Sequence, residues 1–190
     1  MTTENNHTNW KIDAGHSQVL FKIKHLGITN VNGTFDKFQG NVNTEGEDFN
    51  GARVHFEIET DSLNTKNNDR DNHLKSPDLF DVEQFPKIYF DGHLHHKAGD
   101  DYELKGDLTI LSTTKPVVLE TNLTGMGKGR FNDTRAGFEI NGRISRKEFG
   151  LTWNILSGSG DFVVGEEVKL QFDIQVVKQE VAEKVEAVIV

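Results

Sequence analysis

The 190-residue chain contains no cysteine, which excludes disulfides, thiolate catalysis and cysteine-ligated zinc. It leaves the redox compartment open, because a cysteine-free chain suits either side of a membrane. Basic residues are also scarce, 21 against 30 acidic, for a formal charge of -9. Phosphate-backbone binding needs clustered Lys and Arg, so nucleic acid is not an expected partner. The same charge repels an anionic membrane surface, and any lipid chemistry is expected inside the protein or at a local basic spot. No apolar run approaches the roughly 18 residues of a spanning helix, so stable membrane insertion is not expected. The start, MTTENNHTNW, has neither the basic nor the apolar region of an export signal, and the sequence reads as cytoplasmic. A periplasmic protein whose leader had been removed would read the same way.

What is abundant is period two, the mark of strands with one wet and one dry face. ARVHFEIET sets Val54, Phe56 and Ile58 against Arg53, His55, Glu57 and Glu59. KIYFDGHLH repeats this with Ile88, Phe90 and Leu94, and YELKGDLTI with Tyr102, Leu104, Leu108 and Ile110. RAGFEINGRIS places Ala136, Phe138, Ile140 and Ile144 on one side, and VKLQFDIQV does the same with Val168, Leu170, Phe172, Ile174 and Val176. SQVLFKIKH carries Val19, Phe21 and Ile23 inward, and PVVLETNLT is a looser strand built on Val117, Leu119 and Leu123. In GTFDKFQGNV, Phe35 and Phe38 break the alternation, which predicts a bulge. About eight strands result, separated by turn signals at GITNVNG, KAGDD and GKGRFND. The fold class is therefore all-β, and an antiparallel barrel is favoured over a sandwich because closure removes exposed edges.

Two interior segments look helical. TKNNDRDNHLKS has Asn and Asp at its front and Lys75 before Pro77, in keeping with a helix dipole, and SRKEFGLTW can hold a turn or two from Ser145. The expected organisation is a tail over residues 1–9, a barrel over 10–177 and a second tail over 178–190. That last tail puts Val181, Val185, Val188 and Ile189 on one helical face, where it either docks on the barrel, pairs with a second copy as a homodimer or frays; a partner-binding module that docks through its strands or this tail is a further alternative function.

Gly92, Gly106 and Gly142 fall on the apolar side of their strands. Either they leave space, as in an eight-stranded barrel holding one small ligand, or they are bends that receive neighbouring Phe rings. Chemistry-bearing groups are few. GHSQV lacks the second glycine of a nucleophile elbow. His93 and His95 share an outward face with no third ligand nearby, so no metal site is expected. His25 shares the inward parity of Phe21 and Ile23 and is either a polar contact in the cavity or a histidine satisfied by a backbone carbonyl. The densest ionisable cluster, NDRDNHLKSPDLFDVEQFP, reads as a clamp in which Arg70 and Asp71 bond strand ends while Leu74, Leu79, Phe80 and Phe85 cap the barrel. The enzymatic alternative is a hydrolase or isomerase acting through Asp71 and His73, but no metal cage, phosphate loop or nucleophile joins them.

WKIDAGHSQVLFKIKHLG, VNGTFDKFQG, RDNHL, FPKIYF, GDLTI with TKPV, and RKEFGL follow in an order and spacing that resembles the YceI family. The resemblance covers about residues 10 to 177. It implies a lipocalin-like barrel that binds a long isoprenoid lipid, a polyisoprenoid or an isoprenoid quinone, with no catalysis and no cofactor beyond that ligand. Many members are exported, and this sequence departs from them in its start. On that footing Phe21, Ile23, Phe56, Ile58, Phe90, Leu108, Phe138 and Ile140 are expected to line a tunnel, with Trp153 and Phe80 near its ends. Arg70, His73 and Lys115 are the expected head-group contacts, with His25 serving if the head enters deeply.

Overall fold

The alternation translates into a wall with a dry inner face. In the computed structural model, which describes residues 7–46, 48–158, 160 and 163–180, the long strands are β1 (His7–Ile12), β2 (Gln18–His25), β3 (Thr29–Phe35), β4 (Phe38–Glu45) and β5 (Arg53–Glu59). After the two-residue β6 (Leu63–Asn64) and the α-helix α1 (Asn68–Lys75) come β7 (Lys87–Ala98), β8 (Asp101–Ile110), β9 (Thr113–Lys128), β10 (Thr134–Ser145) and β11 (Val164–Lys178). Every pairing is antiparallel, and the order β1-β4-β5-β7-β8-β9-β10-β11 returns to β1, closing an eight-stranded barrel.

The chain enters this ring by a kink. β11 pairs with β1 through residues 176–178 and with β2 through 164–173, and the break falls at Asp13–Ser17. The Asp13 amide donates to the Gln175 carbonyl (2.9 Å), and the Gln175 amide donates to Ser17 Oγ (2.9 Å), so both backbone groups of Gln175 are paired at the crossing. From β2 the sheet continues through β3 to β6, and the segment from Thr60 to Pro86 brings α1 against that flank.

Two departures from the sequence reading concern this corner. The break between Phe35 and Phe38 is a turn between separate strands, because β3 pairs with β2 and β6 whereas β4 pairs with β1 and β5. GITNVNG is mostly strand, with the turn confined to Leu26–Ile28. The eighth barrel strand is β1, which begins at His7 and pairs with Glu45. The tail positions Val181, Val185, Val188 and Ile189 lie outside the described residues.

The helix forms where its ends are capped. Asn67 accepts from the Arg70 amide (2.9 Å), acidic Asp69 and Asp71 occupy the first turn, and Lys75 the last. SRKEFGLTW contributes only a 3-10 turn, Arg146–Phe149, stopped by Gly150 at φ +88°. Among the described residues no helix is long and apolar enough to cross a membrane.

Candidate functional site

The barrel encloses a cavity of about 570 Å³, within the roughly 300–1,000 Å³ range of small-molecule sites. Phe21, Ile23, His25, Phe56, Ile58, Phe80, Phe90, Leu108, Phe138, Ile140 and Trp153 all lie on its lining, because each sits at inward parity on a strand or on the segments that cover one end. Aromatic rings follow one another along the wall: Phe38 to Phe56 at 5.8 Å, Phe56 to Phe172 at 6.5 Å, and Phe21 to Phe35 to Phe80 at 5.6 and 6.0 Å.

The space does not come from the inward glycines. A Cβ on Gly92 or Gly106 would meet the Phe90 ring at 2.6 Å, and one on Gly142 would collide with Leu119. Phe21 likewise lies across Gly33. These glycines admit large neighbours, so the reading in which they receive side chains holds and the open-space reading does not.

The two ends differ. At one, the β4–β5 loop folds inward and Phe49, only 1% exposed, lies between Trp10 (centroids 5.1 Å apart) and Phe138 (4.9 Å, edge to face). That end is sealed. At the other, the lining turns polar: Lys24, His25, Thr65, Asp69, Arg70 and His73 gather where α1, the β2–β3 turn and the loop after the 3-10 turn converge. Trp153 and Phe80 both belong to this mouth, whereas a passage with two open ends would have separated them; Trp153 stands edge-on to His73 at 4.4 Å, and Phe80 donates its amide to Leu74 in α1.

Asp71 and Arg70 grip one residue. Both Asp71 carboxylate oxygens accept from the Thr65 amide (2.9 and 3.1 Å) and Oδ1 also from the Thr65 hydroxyl, while Arg70 donates through Nε to Thr65 Oγ1 (2.7 Å) and through Nη2 to the Thr65 carbonyl (2.8 Å). This clamp fixes α1 to the end of β6 and faces the guanidinium toward the cavity mouth. His73 lies on the other flank, its Nε2 3.4 Å from Asp78. Two residues apart on a helix, Asp71 and His73 point away from each other, so the structure does not assemble the acid-base pair of the enzymatic alternative. Lys115 is not part of the cavity lining: it sits in β9 opposite Leu108, beside the β8–β9 turn. Among the described residues no three metal-ligating side chains cluster, and His93 and His95 form no site.

Arg146 was missed. It is 4% exposed, lines the cavity, and donates to the carbonyls of Gly165 (2.8 Å), Trp153 (2.9 Å), Leu151 and Val164 (3.4 Å). Burial pushes its pKa down from the ordinary guanidinium value, opposed by the charge of Glu166. With Asn154, which accepts from the Val164 amide (3.1 Å) and donates to the Val164 carbonyl (2.7 Å), it ties the mouth loop to the start of β11. The signal was present in the alternation, since 136, 138, 140, 142, 144 and 146 share one parity and only the last is charged.

The YceI-like domain family matches residues 10–176. Protein YceI of Salmonella arizonae is 35% identical over 172 residues, covering 90% of this chain and 87% of that protein. The Campylobacter jejuni YCEI crystal structure superposes with a TM-score of 0.71 at 27% identity, over 84% of this chain and 91% of that one. A polyisoprenoid binding domain from Saccharophagus degradans shares the fold with a TM-score of 0.69 at 14% identity, over 90% and 98%. The matched span begins at Trp10 in the closing strand and ends at Val176, buried at the same sealed end, so it takes in the whole ring of strands and the cavity: this chain belongs to the YceI-like family.

Proposed function

We propose that the barrel binds a long isoprenoid lipid, a polyisoprenoid or an isoprenoid quinone, without chemical turnover, its hydrocarbon in the cavity and its head group at the mouth. The observation that carries this reading is the division of the cavity into a sealed apolar floor and a polar opening. An amphiphile has the same division. The name of the Saccharophagus domain, and the shared fold, point the same way.

The energetics put selectivity at the mouth. A chain of tens of carbons at about 0.8 kcal/mol per buried CH₂ would exceed any attainable affinity if water were the reference. Such lipids start in a membrane, so transfer of the hydrocarbon into an apolar barrel is close to neutral and the head-group contacts decide retention. There the cations Lys24 and Arg70 outnumber the single acidic lining residue Asp69, and His25 and His73 add hydrogen-bonding groups, which favours an anionic or carbonyl-bearing head. His73, whose ring stands perpendicular to that of Trp153 and whose Nε2 lies 3.4 Å from Asp78, is the candidate donor to it.

Native mass spectrometry of the gently purified protein, with uptake of labelled ubiquinone and polyprenyl phosphate, tests the proposal. Bound lipid is expected, with His73→Ala weakening retention about fivefold or more, the loss of one hydrogen bond to a charged or polar head. A protein that carries no lipid and takes up neither probe would end the reading, and product formation abolished in His73→Ala while binding survives would favour an enzyme.

A further inference from the structure

A strip of exposed aliphatic side chains lines one side of the mouth. Ile28 at the β2–β3 turn is 81% exposed and Leu26 43%, while Ile155 and Leu156 on the facing loop are 51% and 62% exposed. Hydrogen bonds make the two segments one surface: the Leu26 amide donates to the Val163 carbonyl (2.8 Å), and the Val163 amide donates to the Ile155 carbonyl (3.0 Å). Leu26 and Ile155 therefore flank Val163 as neighbouring strands would, within about 10 Å of each other at two strand spacings. Val163 itself lines the cavity, so on this side of the mouth apolar surface reaches the lip beside the polar lining residues Lys24 and His25. Isolated surface aliphatics need no explanation, but a contiguous set leading into a cavity does.

We propose that this strip of rim is a membrane-contact surface: Leu26, Ile28, Ile155 and Leu156 seat in the outer layer of a lipid bilayer and bring the mouth against it. The proposal rests on the lipid-binding reading, which fixes the occupant. A ligand whose hydrocarbon never leaves an apolar phase has to cross from bilayer to cavity where the two touch, and the rim supplies that junction. The chain carries a formal charge of -9, so attraction to anionic lipid is not what holds it there; insertion of the aliphatic side chains is.

The test is flotation with phosphatidylcholine vesicles, using the full chain. Wild type is expected to float with vesicles, and the double variant Ile28→Ser with Leu156→Ser to lose about tenfold or more in partitioning. Both positions are exposed, so the fold should survive, and a thermal melt checks it. Ile28→Trp, which adds a side chain favoured at membrane interfaces, should strengthen binding and remains informative if the serine variant misfolds. Phe131, 83% exposed on the β9–β10 turn at the sealed end, is the control, and Phe131→Ser should change nothing. The rate of ubiquinone transfer from vesicles should fall with the serine pair, while ubiquinone loaded from detergent is retained as in wild type.

A wild type that stays off vesicles, serine and tryptophan variants that bind like wild type, or a loss seen only in Phe131→Ser would overturn the proposal. So would a concentration-dependent dimer abolished by the serine pair with no vesicle binding, which would assign the rim to a second copy. Docking without uptake of any isoprenoid leaves the rim assignment standing and removes the carrier reading; uptake without docking does the reverse.

Discussion

The two ends of the barrel solve opposite problems with the same strands. At the sealed end Trp10, Phe49, Ala136, Phe138 and Val176 are no more than 5% exposed, whereas Ile28 and Leu156 at the mouth are among the most exposed aliphatics of the chain. β10 runs between them, with Phe138 packed into the aromatic floor and Arg146, just past its last residue, bonded to four carbonyls. The floor coheres by packing, which is non-directional and collapses the space. The mouth coheres by directional hydrogen bonds from Arg146, Asn154, Arg70 and Asp71, which hold segments in place without filling the space between them. A site that must stay open while keeping its shape needs the second kind of support.

The largest expected effect is at the floor. Phe49→Ala removes a ring wedged between two others and should cost about 3–5 kcal/mol, measured as a lower urea midpoint. A cost below about 1 kcal/mol would mean that the aromatic plug is not the anchor assumed here. Next comes the mouth. Arg146→Met keeps the stem but orphans buried carbonyls, for a loss of about 2–3 kcal/mol. Amide hydrogen exchange should rise in residues 151–158 and 163–165 and stay unchanged in β1 and the Phe49 loop, consistent with local opening. Uniform acceleration across the barrel would erase the distinction between the ends.

The wall was legible in the sequence because alternation reports the environment of each side chain directly, and β5, β7, β8, β10 and β11 fall where their patterns place them. The strand β1 was harder to see, since Trp10 and Ile12 offer only two inward positions before Asp13 begins the kink. The turn at Asp36–Lys37 looked like a bulge because both leave the same local irregularity; what separates them is pairing with distant strands, which no short window contains. The cavity lining followed from parity, and the polar mouth followed only in part. Arg70 and His73 lie in one helical turn and could be read together, whereas Arg146 finds its partners in backbone carbonyls that carry no residue identity. The sealed end was invisible for a related reason: Phe49 stands in a loop outside any periodic pattern, and only the fold shows that the loop turns inward.

The smallest effect belongs to neither end and so measures the wall alone. On the outer face of β5, His55 contacts Asp91 through Nδ1 (2.8 Å) and Glu57 through Nε2 (3.2 Å), and Glu57 also receives Lys87 Nζ at 2.6 Å and Gln39. The hydrogen bond to Asp91, ahead of that to Glu57, raises the His55 pKa above its ordinary value, whereas Lys87 holds the Glu57 carboxyl down at about 2. A raised histidine binds its proton more tightly folded than unfolded, so its contribution is complete below the unfolded pKa of about 6.5 and is lost as pH rises through the folded one. Glu57 has the opposite sign: its contribution is complete above the unfolded carboxyl value and fades as pH falls toward 2. His55 is more than a third exposed, so solvent screens it and its share should not exceed about 1 kcal/mol. Urea unfolding between pH 6 and 8 should therefore show a shallow decline in stability with rising pH, flattened in His55→Gln and unchanged in Arg146→Met. If the slope survived His55→Gln and vanished in a mouth variant instead, the wall would not be its source, and the separation between a passive wall and a responsive opening would have to be redrawn.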